Sequence, residues 1–490
     1  MTSRSVLIIG AGFAGLGTAI RLLQNGIDDF VILERSDRVG GTWRDNTYPG
    51  AACDVPSVLY SYSFAPKPDW SRVYSGGPEI LGYIEDVVDR YRLRRHIRFG
   101  TNVTAMNFDS DTGTWTADTA SGTTFTARTA VLAAGPLADV SWPDIRGLDS
   151  YTGHKIHSAR WDHDYDVTGK RIAVIGTGAS AVQIIPELVK TASKVKVFQR
   201  TPGWVLPRLD FAHPDWAKQL FHHVPAAEDL ARQALFWGHE AAAVGMVWDT
   251  VVTSAIQLVA KANLRRQIRD PWKRRQLTPD FRAGCKRMLM TNDYYPALEK
   301  ENCSLITWPI ATLSPAGIRT ADGIEHEVDC IVFATGYDVV CKNGTPFPVA
   351  GLDGRKLADD WAQGSYAYKS VSVSGYPNLF WTFGPNSGPG HNSALHYMEA
   401  QIDYIVEAVR IIESRGLRLF DVRKDRQDRY NARIQRRLEN TTWNSGCASW
   451  YLTADGHNAT MYPGFATQFT RELSRVDIDD YVTDTVPARV

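Results

Sequence analysis

The chain has six cysteines in 490 residues, and no two of them form a C-x-x-C pair. Cys53, Cys285, Cys303, Cys330, Cys341 and Cys447 are scattered, which argues against a disulfide framework and against a zinc site. The same scatter excludes a flavin disulfide reductase, whose chemistry needs adjacent redox-active thiols. Net charge is also lacking: Lys+Arg and Asp+Glu are each 54. Nothing in that balance favours capture of nucleic acid or of an anionic membrane. Long apolar runs are missing too. The most apolar stretch, Ala241 to Trp248, is cut off by Glu240 and Asp249 and is far too short to span a bilayer. The first strand begins within a few residues of Met1, leaving no room for a signal peptide, so the expectation is a soluble cytoplasmic protein.

What is present is a globular composition, 44% hydrophobic and 22% charged, over a length that calls for two or three domains. Ser5 to Ile9 reads as a buried parallel strand, an unbroken apolar run. It leads into Gly10-Ala11-Gly12-Phe13-Ala14-Gly15, then a helix to about Asn25. A second strand, Phe30 to Leu33, ends at Glu34, 19 residues after Gly15. This is a dinucleotide fingerprint in register. Gly10 makes the tight turn, Gly12 lets the pyrophosphate approach, and Gly15 admits helix–strand contact. The helix N-terminus faces the phosphates, and Glu34 accepts from ribose hydroxyls.

The stretch from Gly40-Gly41-Thr42-Trp43 through Tyr48-Pro49-Gly50 to Cys53-Asp54 fits no common helix or strand pattern. Two glycines, a tryptophan and a fixed turn suit a loop passing close to a flat cofactor, with Asp54 delivered to the reactive edge. The loop reads as one wall of a flavin site. Further on, 79 to 95 has the spacing of an amphipathic helix and 97 to 132 that of a strand meander.

A second nucleotide fold starts about 165 residues after the first. Arg171 to Ile175 is its strand, Gly176-Thr177-Gly178-Ala179-Ser180 its phosphate turn, and Lys194 to Phe198 the partner strand. Gln199-Arg200-Thr201 stands where the first fold has Glu34. A guanidinium there removes repulsion of a 2′-phosphate and offers it a bidentate partner, so this site selects NADP over NAD. Residues 210 to 280 are helical by period, with Ala and Trp on one face and a basic run Lys273-Arg274-Arg275 that reads as solvated. Strands return at Ile306 and at Cys330 to Phe333, and Tyr376 to Trp381 forms another buried strand. That strand feeds the Gly384–Gly390 loop and a helix from about Ser393 to Ser414.

Two motifs carry a family resemblance. Residues 40 to 54 match G-G-x-W-x4-Y-P-G-x3-D at every fixed position. Tyr151-Thr152-Gly153 through His157-Ser158 to Trp161-Asp162 matches a second fingerprint, with Tyr151 where phenylalanine is usual. With Phe198-Gln199-Arg200-Thr201-Pro202 and Lys286-Arg287 before Asp293-Tyr294-Tyr295, the chain resembles the type I Baeyer–Villiger monooxygenases over nearly its whole length. The fold implied is α/β: two Rossmann-like dinucleotide-binding domains, for FAD and NADPH, with a helical insertion in the second. The domains are then 1–140 and 336–490 for FAD, the latter with a substrate-site tail, and 141–335 for NADPH with the insertion at about 210–285.

The resemblance implies that NADPH reduces the flavin and that O₂ is held as a C4a-peroxyflavin. That species attacks a ketone to give an ester or lactone. It assigns catalysis to Arg287, a permanent cation, positioned by Asp54. FAD falls to Gly10, Gly12, Gly15, Glu34, Gly41, Thr42, Trp43, Asp54, Tyr60 and Val103. NADPH falls to Gly176, Thr177, Gly178, Ser180, Arg200, Thr201 and Lys286. Tyr151, Gly153, His157 and Trp161 take a conformational role and no metal is expected. The chain is expected to act as a monomer or weak homo-oligomer. The Gly384–Gly390 loop and the Gly446–Tyr451 tail depart from the cyclohexanone type, the loop being closer to members acting on aryl or long-chain ketones. An N- or S-oxygenating flavin enzyme, which needs no such arginine, and a non-oxygenating NADPH oxidase are the alternatives.

Overall fold

The computed structural model describes residues 2–339, 344–453 and 455–485, so Cys341 lies outside the described residues. The strand Thr2–Ile9 runs parallel to Phe30–Leu33 on one side and to Thr124–Leu132 on the other. Ile97–Arg98 extends the sheet beyond Phe30–Leu33, and the meander Val103–Asp109, Thr114–Thr119, Thr124–Leu132 extends it the other way. Leu379–Trp381 returns late in the chain to pair in parallel with Thr124–Leu132.

Both faces of the sheet are covered over residues 6–9 and at Phe30–Leu33, which is why these strands read as apolar runs, whereas Val103–Asp109 and Thr114–Thr119 alternate buried and open positions. Val6 and Ile8 enter a core beneath the helices Phe13–Gln24 and Ala394–Arg415, while Leu7 and Ile9 enter another with Trp115 and Trp381. Each fully buried aliphatic side chain contributes about 2 kcal/mol by transfer from water.

The second sheet is wholly parallel, in the order Cys303–Ile306, Lys194–Phe198, Arg171–Ile175, Cys330–Phe333, His154–His157. The helix Ala179–Thr191 follows its phosphate turn. The insertion consists of Asp215–His223, Pro225–Met246, Val251–Gln267 and Pro271–Gln276. A short antiparallel pair, Asp139–Val140 with Tyr337–Asp338, ties together the two passages of the chain between the sheets.

Three local expectations are corrected. The helix expected over 79 to 95 spans Gly77–Arg90 and then breaks at Arg92, whose φ of 54° starts a 3₁₀ turn at Leu93–His96. The strand expected from Tyr376 begins at Leu379, because Pro377 has no N–H to give and Asn378 is left-handed at φ 58°. The scattered cysteines are not all free: Cys285 and Cys447, 162 residues apart, form a disulfide, whereas Cys53, Cys303 and Cys330 are buried thiols. The tertiary path that returns the C-terminal segment beside residue 285 brings them together, and spacing does not reveal it. Among the described residues, no helix is long and apolar enough to cross a membrane.

Candidate active site

The first fingerprint builds a cavity of about 520 Å³, lined by Gly10 to Ala14, Glu34, Gly41 to Arg44, Tyr60, Val103 and Ala133 to Gly135. Gly10 has φ +105°, and a Cβ there would sit 2.7 Å from the Ala133 carbonyl oxygen. Gly15 is outside the lining. It lets the helix press on the turn, since a Cβ on it would lie 1.9 Å from the Gly10 oxygen. Gly12 and Gly41 face one another across the mouth, a Gly12 Cβ falling 3.6 Å from the Gly41 Cα. A cleft floored by bare backbone at a helix N-terminus, with Thr42, Trp43, Tyr60 and Val103 on its walls, fits a flavin dinucleotide. Trp43 donates through Nε1 to the Tyr60 hydroxyl at 3.2 Å, fixing both rings.

Glu34 lines this cavity and does more than face a ribose. Its Oε2 accepts from Ala11 N at 2.8 Å, and Oε1 accepts from Ser36 N and from Arg44 Nη1, each at 2.9 Å. Arg44, buried beside Trp43, also contacts Asp45 and was not singled out from the sequence. It sits three positions after Gly41, but an arginine in a loop gives no local sign of burial.

The loop ends clamped between the two folds. Tyr48 donates to Gln183 Oε1 at 2.8 Å, Gln183 Nε2 donates to the Ala52 oxygen at 3.0 Å, and Gly50 meets the backbone of Gln183. Asp54 follows directly, and here it meets Arg287. Asp54 Oδ2 accepts from Arg287 Nε at 2.8 Å and lies 2.6 Å from Nη2. The Asp54 carboxylate raises the guanidinium pKa above its ordinary value, outweighing burial, which lowers it. The Arg287 side chain keeps 41% exposure, and neither it nor Asp54 is among the residues that line the first cavity. Tyr451 closes on the same spot. Burial pushes its hydroxyl up to about 12, against the pull of Arg287. The tail was expected to wall a substrate cavity, and Tyr451 is the residue in it that reaches Arg287. The disulfide anchors this tail two residues before Arg287.

In the second fold, Gly176 (φ +118°) abuts the Ala334 carbonyl, and Gly178 caps the helix Ala179–Thr191, with Ser180 in its first turn. Thr177 Oγ1 donates to the Thr201 oxygen at 3.0 Å. Arg200 and Lys286 come close enough to repel: burial, then Arg200, lower the Lys286 pKa. Lys286 lies over the Phe281 ring at 4.9 Å. Among the described residues neither cation has a salt-bridge or hydrogen-bond partner, although Asp280 is near enough to Lys286 to pull its pKa back up. Two like charges held together without a hydrogen-bonded anion suit a phosphate between them.

The second motif lies at the crossover between the two sheets. Tyr151 donates to the Val328 oxygen at 3.1 Å, a bond phenylalanine cannot make, and Gly153 is small because a Cβ would lie 2.2 Å from that hydroxyl. Trp161 packs on the second core. His157 is buried on the edge strand, edge-on to Trp142 and Tyr337 beside the Asp139–Val140 and Tyr337–Asp338 pair. Burial lowers its pKa.

One further cluster escaped sequence reading. Glu240, in the insertion, accepts from His391 Nε2 at 2.9 Å, Asn392 Nδ2 at 3.2 Å and the backbone N–H groups of Ala466 and Thr467. It binds the insertion to the end of the Gly384–Gly390 loop.

Comparison with known proteins agrees with this geometry. Residues 7–213 match the pyridine nucleotide-disulphide oxidoreductase family model. A Baeyer–Villiger monooxygenase of Streptomyces coelicolor is 44% identical over 99% of this chain and 94% of its own length. One from Pseudomonas aeruginosa is 41% identical over 98% and 92%. Among solved structures, an oxidized steroid monooxygenase bound to NADP matches with a TM-score of 0.88 and 30% identity, covering 99% of this chain and all of the other. A closed cyclohexanone monooxygenase matches at 0.89 and 27%, with the same coverage. With two nucleotide cradles, an aspartate-held arginine between them and relatives aligned over almost its full length, this chain belongs to the Baeyer–Villiger monooxygenases.

Proposed function

We propose that the ion pair of Asp54 and Arg287 is the catalytic centre of an NADPH- and O₂-dependent oxygenase that converts a ketone to an ester or lactone. One atom of O₂ enters the product beside the carbonyl, the other leaves as water, and NADPH and a proton supply the two electrons and the hydrogens. FAD, when bound, supplies oxygen activation. Every other part of the task falls to side chains of this protein. Gly10, Gly12, Gly41, Thr42, Trp43, Tyr60 and Val103 hold and orient the flavin dinucleotide. Gly176 to Ser180 receive the pyrophosphate of NADPH, with Arg200, Thr201 and Lys286 at its 2′-phosphate.

Arg287 carries the reading. Guanidinium stays protonated in a dehydrated pocket, so it offers fixed N–H donors to negative charge that develops on oxygen during attack at a carbonyl. Asp54 occupies Nε and Nη2 and leaves Nη1 uncommitted among the described residues, which aims the free edge. The units 1–140 with 336–490, and 141–335, act as FAD and NADPH modules, and Tyr151, Gly153, His157 and Trp161 set the crossover between them. The enzyme works in the cytoplasm as a monomer or weak homo-oligomer.

Purified enzyme given NADPH, ¹⁸O₂ and a panel of cyclic, aryl and long-chain ketones tests this. The expected product is an ester carrying one labelled atom. Label found only on sulfur or nitrogen, with no ester from any ketone, would sink the proposal.

A further inference from the structure

The helical insertion leaves a row of large apolar side chains on its outward side, although Phe221, Leu235 and Phe236 pack inward on the main core. On Pro225–Met246 the buried positions are Glu228, Glu240, Ala243 and Gly245, while Leu230, Trp237 and Val244 face outward. These three lie seven residues apart, so they form one stripe along the helix, and they are 71%, 59% and 40% exposed. The neighbouring helix Val251–Gln267 repeats the pattern. It buries Thr253, Ala260, Asn263 and Leu264 and leaves Val251, Leu258 and Val259 outside, Val251 at 86%. Asp215–His223, packed on Pro225–Met246, adds Trp216 at 71%. Most of the large hydrophobic side chains that the described residues leave exposed fall between Leu209 and Trp272. Exposed apolar stripes of this kind on packed helices mark a contact surface.

Charge tells what contacts it. The outward face of Val251–Gln267 turns basic at its far end, with Lys261, Arg265 and Arg266 all exposed. Arg269 and Lys273 to Arg275 follow around the exposed Trp272. Asp270 is the one carboxylate between Val251 and Gln276, although Lys273 is paired with Glu299. Asp229 is the carboxylate on the outward side of the longer helix. The overall net charge of zero conceals this local excess.

We infer that this face docks on the surface of an anionic lipid bilayer. Leucine, valine and tryptophan side chains enter the boundary between headgroups and acyl chains, and the arginines at the edge meet lipid phosphates. Attachment is peripheral, since no described helix can span a bilayer.

The test uses the full-length, FAD-loaded enzyme and co-sedimentation with two kinds of vesicle, phosphatidylcholine alone and phosphatidylcholine with phosphatidylglycerol. Binding is expected to the anionic vesicles, to weaken with salt, and to be absent from neutral ones. Two double variants, Trp237→Ser with Leu258→Gln and Arg265→Ser with Arg266→Ser, are each expected to weaken it by at least about tenfold while NADPH oxidation in solution is unchanged. The inference is overturned if anionic vesicles bind no enzyme at low salt, or if neither double variant weakens binding. It is also overturned if light scattering shows a dimer that Trp237→Ser with Leu258→Gln dissociates, because a second copy would then own the face.

Discussion

Asp54 and Arg287 are 233 residues apart and share one carboxylate oxygen, Oδ2, between two guanidinium nitrogens. One comes from the end of the loop that walls the first nucleotide cradle. The other sits just ahead of the strand Leu289–Met290, which pairs with Val205–Leu206 of the second. The pair therefore forms only when both folds are assembled.

Removing the guanidinium separates the two halves of the reaction. Arg287→Ala is expected to cut ester formation by at least about 100-fold, the scale for loss of a donor to developing oxyanion charge. NADPH-driven bleaching of the flavin is expected to survive. Sulfoxidation that persists in the same variant at the wild-type rate, with ester formation also unchanged, would show that Arg287 has no part in the chemistry.

The pair of Arg200 and Lys286, neither of them held in a salt bridge among the described residues, predicts cofactor choice. Arg200→Ala loses charge-assisted contacts of about 1.5–3 kcal/mol, so KM for NADPH is expected to rise about 10- to 150-fold. KM for NADH, which has no 2′-phosphate, is expected to stay where it is. Steady-state kinetics with both nucleotides reads the difference directly.

Local signals were legible in the sequence and tertiary ones were not. Gly10 to Glu34 could be read because turn, helix and acid are separated by fixed short spacings. Arg44 could not, because its burial against Glu34 depends on how the loop folds back. Gln199-Arg200 was readable by register with Glu34. The helical period of 225 to 246 told which side chains share a stripe, but not that Trp237 faces out and Glu240 in. The Cys285–Cys447 pairing and the approach of Tyr451 to Arg287 depend on the last segment crossing the whole molecule, a contact that no window of sequence contains.

That disulfide gives a prediction of its own. Peptide mapping without reductant is expected to recover Cys285 and Cys447 peptides joined. Cys447→Ser is expected to cost about 2–4 kcal/mol of unfolding free energy by freeing a long loop. Because Lys286 and Arg287 follow Cys285 directly and Tyr451 follows Cys447 closely, the variant is expected to raise KM for ketone more than it slows flavin reduction. Two free thiols in the mapped wild-type protein would remove the bridge from the account.

Glu240 predicts an acid limit to stability. Burial works to raise its pKa, but hydrogen bonds from His391, Thr467 and Ala466 win and hold it at about 2, against an ordinary 4.5. The native state therefore binds the proton less readily than the unfolded chain. Stability from this group is complete above pH 4.5, on the order of 3 kcal/mol, and drains away as pH falls toward 2. Glu240→Gln keeps the shape, removes the charge and leaves His391 without its anionic partner. Its melting temperature is expected to lie well below wild type at neutral pH, and the gap is expected to narrow steadily below pH 4.5. A gap that stays constant through that range would mean the carboxylate holds the insertion by shape alone.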